Sequence, residues 1–159
     1  MAKSVRVLLA DDDDAFVELV SRITKGDKAS ERCEIFRVKD GNEAVSYILR
    51  EGEFADADSF PIPDAIILDQ RMNTMDGDEA LVEIRKDQRT TEIPICMLST
   101  SADEKLRSLC YKSGATFCIQ KPIDYDKLKS RIRLLLAFFV EVLELDRLDA
   151  KSTYRPELA

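Results

Sequence analysis

The sequence predicts an α/β fold, a doubly wound (βα)₅ sandwich around a five-stranded parallel sheet. Five short apolar runs alternate with longer segments of helical periodicity, and this alternation is typical of repeated βαβ units. Turn-forming residues, mainly Gly, Pro and Asp-Gly pairs, lie between the periodic segments, where the chain must reverse direction. The predicted strands are residues 5–10, 33–38, 65–68, 95–98 and 116–120.

The third and fourth predicted strands are expected to lie inside the sheet. Residues 66–68 read Ile-Ile-Leu and residues 95–98 read Ile-Cys-Met-Leu, so neither run alternates with polar residues. Consecutive apolar residues are expected where helices cover both faces of a strand. The two runs therefore favour a sheet with helices on both sides.

The segments between the strands carry apolar residues at helical spacing. These residues are Phe16, Leu19, Val20 and Ile23, then Leu81 and Ile84, then Leu106, Leu109 and Cys110. Residues at i, i+3, i+4 and i+7 share one face of a helix, so we expect these faces to pack on the sheet. The interval 51–63 has no such periodicity and is predicted to be mobile.

Composition excludes several kinds of chemistry. The chain has 159 residues, with 24 Lys and Arg against 31 Asp and Glu, a net charge of -7 and no histidine. Without an imidazole it cannot supply a Ser-His-Asp or Cys-His catalytic set or a Cys₂His₂ zinc site. The pI near 4.8 argues against nucleic acid as a direct partner, because phosphate backbones are held by clustered Lys and Arg.

Length and hydropathy predict a single domain in the cytoplasm. The length falls within the ~100–200 residues of a usual domain. The longest strongly apolar run, residues 134–140, is far shorter than the ~20 residues that cross a bilayer, and the N-terminus has no signal-peptide segment. We therefore expect no membrane association. The four cysteines show no CxxC spacing, which favours buried reduced thiols over disulfides or zinc ligands. They are Cys33, Cys96, Cys110 and Cys118.

Polar residues follow several strands at the edge of the sheet where open α/β folds bind their ligands. These residues are Asp11, Asp12, Asp69, Ser99 and Lys121. Three carboxylates at one edge repel one another unless a cation lies among them. Mg²⁺ commonly combines one or two carboxylates with water and phosphate oxygens, so we expect a magnesium site suited to phosphoryl transfer.

The ordered motifs resemble the receiver domain of a two-component response regulator. The matching pieces are Val-Leu-Leu-Ala-Asp-Asp at residues 7–12, Pro-Asp-Ala-Ile-Ile-Leu-Asp at 63–69, Met-Asp-Gly at 75–77, Ile-Pro-Ile-Cys-Met-Leu-Ser at 93–99, Gly-Ala at 114–115 and Lys-Pro at 121–122. The resemblance covers about residues 4–135 and implies a flavodoxin-like topology. It also implies a phosphoryl group taken from a histidine kinase. Because the chain has no histidine, that donor must be external.

The resemblance implies how the phosphoacceptor and the metal ligands are arranged. Asp69 is implied to be the phosphoacceptor, attacking phosphorus to give an acyl phosphate. Mg²⁺ is implied to bind the Asp12 and Asp69 carboxylates and the backbone carbonyl of Arg71. Asp11 is implied to reach the ion through water.

The remaining site residues include departures from the family's pattern. By the resemblance, Lys121 pairs with the phosphoryl group and Ser99 hydrogen-bonds to it, while Thr100 replaces the small residue common after that hydroxyl and narrows access. Cys118 occupies the position where many receivers carry a switch aromatic. The peptide bond between Lys121 and Pro122 is usually cis in this family.

The last predicted helix is apolar on more than one face. A stripe expected to face the core consists of Leu128, Ile132, Leu135, Phe139 and Val142. Other faces carry Leu134, Leu136, Phe138, Val140, Leu143 and Leu145. A helix that is apolar nearly all round must be covered, so we predict a homodimer through this helix. The interface residues are predicted to be Leu134, Phe138 and Leu145.

The predicted organisation is a receiver domain over residues 1–147, including the extended last helix, and a flexible polar tail over residues 148–159. So little chain outside the receiver region predicts a stand-alone regulator rather than one with an attached output domain. The interval 51–63 and the Phe-rich last helix are similar to stand-alone receivers that pair with bacterial phytochrome kinases. A kinase of that type is therefore an expected partner.

Two other interpretations use the same residues. Residues 11–13 read Asp-Asp-Asp and contain the Asp-x-Asp of Mg²⁺-dependent haloacid dehalogenase phosphatases, in which Asp11 would be the nucleophile and Asp13 the acid/base. Those enzymes need an acidic pair near a glycine after the lysine, and here Asp124 and Asp126 lack that glycine. A pseudo-receiver scaffold is disfavoured because every acceptor-site position is filled by a competent residue.

Overall fold

Strands and helices alternate along the chain as the sequence predicts. The computed structural model describes residues 3–151, without the side chains of residues 145, 146 and 148–151. The strands are β1 (Val5–Ala10), β2 (Cys33–Val38), β3 (Ala65–Asp69), β4 (Ile95–Ser99) and β5 (Phe117–Gln120). The α-helices are α1 (Asp14–Gly26), α2 (Gly41–Leu49), α3 (Gly77–Arg85), α4 (Glu104–Lys112) and α5 (Tyr125–Lys151), and short 3₁₀ turns cover Gly52–Phe54 and Gln88–Thr90.

The five strands form one parallel sheet in the order β2-β1-β3-β4-β5. This order is that of flavodoxin-like doubly wound folds, so the predicted fold class is confirmed. The strand bounds lie within one residue of the prediction. β5 begins one residue late, at Phe117, although Thr116 already bonds to Ile95 of β4: its N–H donates to the Ile95 carbonyl at 2.8 Å and its hydroxyl accepts the Ile95 N–H at 3.0 Å.

Helices cover both faces of the sheet. α1 and α5 enclose one core, and α2, α3 and α4 enclose the other. The predicted core face of α1 is buried in full, as are Leu81 and Ile84 of α3. In α4 the prediction is wrong for Leu109, which is 58% exposed, whereas Cys110 is buried. α4 lies beside the edge strand β5, so a narrower face of it is covered.

α5 packs against α1 and β1 and is the longest helix in the described residues. Ile132, Leu135 and Phe139 are buried as predicted. Leu136 and Val140, predicted on other faces, are also buried, because α5 lies in the groove between a helix and the sheet and is covered over a wide arc. Within residues 3–151 no helix has the length and hydropathy needed to span a membrane.

The C-terminal part of α5 extends past the predicted domain boundary. Residues 148–151, Leu-Asp-Ala-Lys, are helical and so enter the segment predicted as a polar tail. This run has no Gly or Pro to end a helix. The side chain of Leu145 and residues 152–159 lie outside the described residues.

The interval 51–63 contacts α2 through aromatic packing, and its mobility stays a prediction. Phe54 is buried, and its ring lies 5.4 Å from that of Tyr47 and 5.1 Å from that of Phe60 between ring centroids. The Tyr47 hydroxyl donates to the Pro61 carbonyl at 2.9 Å. Phe54 therefore joins the core, and Phe60 packs against it. Sequence periodicity missed this packing because its contacts come from isolated aromatic residues.

Candidate functional site

The strand ends bring the predicted carboxylates and lysine together at one edge of the sheet. Asp11 and Asp12 follow β1, and Asp69 ends β3. Carboxylate oxygens of these three residues lie within 4.8 Å of one another. Lys121 follows β5, and its Nζ lies 3.0 Å from Asp11 Oδ2 and 3.9 Å from Asp69 Oδ1. The predicted convergence of these four residues is therefore present.

Asp11 is the most deeply buried of the three acids, with a fully buried side chain. Its Oδ1 accepts the Asp13 N–H at 2.8 Å, and its backbone carbonyl accepts both Nε and one terminal N–H of Arg37 at 3.1 Å. Asp13 in turn caps α1 by accepting the N–H groups of Ala15 and Phe16. The start of α1 therefore fixes the Asp11 carboxylate in place.

Burial raises the proton affinity of two of the acids, Asp69 and Asp11. Burial raises the pKa of Asp69 to about 7, and the charge of Asp11 adds to the rise while the Lys121 ammonium opposes it. Burial also raises the pKa of Asp11, against the lowering effects of the Asp13 N–H and of Lys121. In the absence of a cation, one lysine does not compensate the acidic cluster.

The ring of Phe16 contacts the ammonium group of Lys121, and this contact was not predicted from the sequence. The Lys121 Nζ lies 3.9 Å from the centroid of the Phe16 ring, a cation–π distance. Phe16 was predicted only as a core residue of α1, and it is buried as such. The helical spacing gave no signal that its ring also faces an ammonium group.

Ser99 is buried at the end of β4 and has a partner that the sequence did not reveal. Its hydroxyl donates to Oε1 of Gln70, the buried residue directly after Asp69, and its Oγ accepts the Ser101 N–H at 3.1 Å. Thr100 is exposed at the start of the following loop. A glutamine after a strand looks like any turn residue in the sequence, so Gln70 carried no signal.

The loop after β3 is tightly folded against Asp69. A Cβ on Gly77 would lie 2.2 Å from the Asp69 carbonyl oxygen, so only glycine allows α3 to approach this closely. The Gly77 N–H donates to the Gln70 carbonyl at 2.9 Å, and the Met72 N–H donates to Asp76 Oδ1 at 3.0 Å. Arg71 lies in this loop with an exposed side chain, and the metal-binding role of its carbonyl stays a prediction.

The pocket fits a hard divalent cation. Three carboxylates supply oxygen donors within reach of a single ion, and oxygen is the donor that Mg²⁺ and Mn²⁺ prefer. Burial and the charge of Asp11 raise the proton affinity of Asp69, and a cation among the acids would favour the ionised carboxylate and so oppose both effects. The acids that could hold the ion are those predicted, namely Asp11, Asp12 and Asp69.

The switch position differs from the family's pattern in the structure as well. Cys118 is buried, and its N–H donates to the hydroxyl of Tyr111 on α4 at 3.2 Å. Phe117 points to the opposite face, where its ring meets that of Phe138 at 5.2 Å. The bond between Lys121 and its following proline is trans, which corrects the cis bond implied by the resemblance.

The parallel sheet with an acidic pocket and a lysine at its carboxyl edge defines a receiver domain of two-component response regulators. The chain belongs to this family, whose sequence model, described as the response regulator receiver domain, matches residues 7–133. The family resemblance seen in the sequence is thereby confirmed.

Individual relatives include response regulators named for phytochromes. The structure of the phosphorylated cyanobacterial phytochrome response regulator RcpA is 29% identical, with a TM-score of 0.79, over 87% of this chain and 96% of its own. The Mn²⁺-bound form of response regulator Rcp1 is 26% identical, with a TM-score of 0.77, over 86% and 95% of the two chains. PleD of Caulobacter vibrioides is 29% identical over 94% of this chain, which spans only 30% of PleD.

The phosphatase interpretation finds no support in these comparisons or in the pocket. Its nucleophile would be Asp11, but that carboxylate is buried and engaged by Lys121 and a backbone N–H. Its acid/base would be Asp13, whose carboxylate caps α1. Both carboxylates are therefore engaged in contacts that hold the loop between β1 and α1.

Proposed function

We propose that the protein is a phosphorylation switch that accepts a phosphoryl group on Asp69. The observation that carries this proposal is the convergence of Asp11, Asp12 and Asp69 with Lys121 at the carboxyl edge of the sheet. Asp69 is 14% exposed, so a donor can reach its carboxylate while the surrounding groups hold its orientation. The function is signalling rather than turnover of a substrate.

The reaction uses the residues of the pocket in distinct roles. An Asp69 oxygen attacks phosphorus, the bond between phosphorus and the donor's imidazole nitrogen breaks, and the imidazole leaves as the acyl phosphate forms. Lys121 pairs with the phosphoryl oxygens, and the Ser99 hydroxyl donates to one of them. Asp12, Asp69 and the Arg71 carbonyl would hold Mg²⁺ directly and Asp11 would hold it through water, and the ion would supply charge neutralisation for the transferring group.

The signal is a change in the loops that follow β4 and β5. A phosphoryl group adds about -1.5 to -2 charge and strong acceptor oxygens. Ser99 and Lys121 meet that group from two different loops, so phosphorylation draws both loops towards Asp69. Hydrolysis of the acyl phosphate by water returns Asp69 to a carboxylate with release of inorganic phosphate.

The donor is proposed to be the phosphohistidine of a histidine kinase of the phytochrome type, and the exchange is proposed to take place in the cytoplasm. The proposal rests on RcpA, which is described as a phytochrome response regulator. The match to this protein covers 96% of the RcpA chain. Phosphoryl transfer from a phytochrome kinase should be faster than from a kinase with an unrelated sensor. Equal rates from both kinases would remove the phytochrome assignment and leave the acceptor role intact.

Incubation with acetyl phosphate and Mg²⁺ followed by intact mass measurement tests the acceptor role. The wild type should gain one phosphoryl group and Asp69→Asn none. Asp58→Asn, which changes an exposed aspartate outside the pocket, is the matched control and should be phosphorylated like the wild type. A wild type that gains no mass, or an Asp69→Asn that gains it undiminished, would sink the proposal.

The regulator is also proposed to form a homodimer through an apolar groove of about 580 Å³ between β5 and α5. Leu134 is 72% exposed and Phe138 43% exposed in this groove. Arg131 and Glu141 also line it, ten positions apart on α5. A two-fold axis through the groove would set Arg131 of one copy near Glu141 of the other, which makes the patch self-complementary.

Sedimentation of the phosphorylated and unphosphorylated protein tests the dimer. Leu134→Glu should shift the wild-type dimer towards monomer. Val82→Glu replaces a residue that is 43% exposed on α3, at the opposite face of the sheet, and should leave the dimer unchanged. A wild type that stays monomeric at high concentration in both states would contradict the interface.

A further inference from the structure

Gln70 occupies a fixed position between the phosphoacceptor and Ser99. Its N–H donates to the Leu98 carbonyl at 2.8 Å and its carbonyl accepts the Gly77 N–H at 2.9 Å, so β4 and α3 hold its backbone on both sides. The residue is 8% exposed. Its side-chain Oε1 accepts the hydroxyl proton of Ser99.

The Ser99 hydroxyl has a single proton, and its hydrogen bond goes to Oε1 of Gln70. A serine hydroxyl can donate once and accept twice. The Ser99 oxygen already accepts the Ser101 N–H at 3.1 Å, and this bond survives rotation of the proton. A phosphoryl group on Asp69 offers only acceptor oxygens to the hydroxyl. Ser99 can therefore bond to the phosphoryl group only with the proton that it gives to Gln70.

We propose that Gln70 is a positioning residue that competes with the phosphoryl group for the Ser99 proton and so disfavours the phosphorylated state. The inference rests on the proposed acceptor role of Asp69. When the Ser99 hydroxyl turns to donate to the phosphoryl group, Oε1 of Gln70 stays buried and loses that hydrogen bond. Leaving a buried acceptor unsatisfied has a free-energy cost, which the phosphorylated state carries in the wild type.

A variant without the acceptor should bind a phosphoryl analogue more tightly. Gln70→Met keeps the side-chain length and removes the oxygen that holds the Ser99 proton. One net hydrogen bond corresponds to a gain of about fivefold in affinity. The gain should be absent in a Ser99→Ala background, where no hydroxyl proton exists to be shared. A merely structural role of Gln70 would change affinity equally in both backgrounds.

The experiment measures the affinity for beryllofluoride in the presence of Mg²⁺ by ¹⁹F NMR of the bound ligand. Four proteins are compared: wild type, Gln70→Met, Ser99→Ala and the double variant. Gln88→Met, which changes an exposed glutamine of a remote 3₁₀ turn, is the control for the substitution itself and should match the wild type. Thermal unfolding of each protein verifies that it is folded.

The result expected is about fivefold tighter binding for Gln70→Met and no difference between Ser99→Ala and the double variant. An equal effect in both backgrounds, no effect in either, or weaker binding by Gln70→Met overturns the inference. Wild type that binds no beryllofluoride overturns the acceptor role as well, which separates the two failures. If Gln70→Met does not fold, the Gln70 side-chain amide signal of the wild type decides: it should shift on ligand addition, and it should stay in place with Ser99→Ala.

Discussion

Replacing Asp69 by asparagine should stabilise the Mg²⁺-free protein, and the gain should grow with pH. Burial, and then the charge of Asp11, raise the pKa of Asp69 from its ordinary 3.8 to about 7. The folded protein therefore binds the Asp69 proton more tightly than the unfolded chain does. The stability that this proton contributes is fully present below about pH 4 and is lost as the pH rises to about 7.

The magnitude follows from the two pKa values of Asp69. The interval from 3.8 to about 7 corresponds to about 4 kcal/mol, at ~1.4 kcal/mol per pH unit. The Asp69 side chain is itself 14% exposed and Asp12 beside it is exposed, so water and salt reduce the effects of both burial and repulsion, and we expect roughly half of that figure, about 2 kcal/mol. Asparagine has the size of a neutral aspartic acid and cannot ionise. Its free energy of unfolding should exceed the wild-type value by about 2 kcal/mol at pH 8 and by less than about 1 kcal/mol at pH 4.

Urea unfolding in EDTA, followed by circular dichroism from pH 4 to pH 8, measures the difference. Asp58→Asn serves as the matched control, and its difference from the wild type should not vary with pH. Mg²⁺ at ten times its Kd should raise the wild-type free energy of unfolding by about 1.4 kcal/mol and that of Asp69→Asn by less. If the gain in unfolding free energy for Asp69→Asn stays constant over this pH range, the raised pKa of Asp69 is refuted.

Three further substitutions test contacts around the site. Lys121→Met should lower the free energy of unfolding by about 3 kcal/mol at pH 8 in EDTA, because it leaves the buried carboxylate of Asp11 without its cation. Urea unfolding at pH 8 measures this loss. An unchanged free energy of unfolding would contradict the ion pair. Gly77→Ala should cost about 2 kcal/mol or more in the same assay, because its Cβ would lie 2.2 Å from the Asp69 carbonyl oxygen. Tyr111→Phe removes the hydroxyl that accepts an N–H of β5, so that amide should exchange faster with solvent, with a loss of about 1 kcal/mol in stability.

The sequence predicted the fold closely because its inner strands are apolar on consecutive residues. Strand ends fell within one residue, and the core face of α1 was complete. Errors arose where coverage depends on neighbours distant in the chain. Leu109 is exposed because α4 lies at the sheet edge, and Leu136 and Val140 are buried because α5 lies between α1 and the sheet. Periodicity identifies a helix face but not the width of the surface that covers it.

The site was predictable to the extent that strand ends determine it. Parallel strands end at one edge, so Asp69 and Lys121 meet without any knowledge of side-chain geometry. Gln70 and Phe16 were missed as site residues because their contacts depend on rotamers and on residues from other strands. A glutamine after a strand and a phenylalanine on an amphipathic helix are common, so neither indicates a functional site in the sequence. Only the fold shows that one holds a hydroxyl and the other an ammonium group.

The acidity of the pocket links the stability of the protein to its proposed function. When all three carboxylates are ionised, they and the Lys121 ammonium carry a net charge of -2 within a few ångströms of one another. A phosphoryl group adds about -1.5 to -2 more, so the phosphorylated state needs a cation even more than the free state does. Asparagine at position 69 would relieve the repulsion and remove the nucleophile in one step. Stability and acceptor chemistry therefore oppose each other at Asp69, and a bound cation is the arrangement that reconciles them.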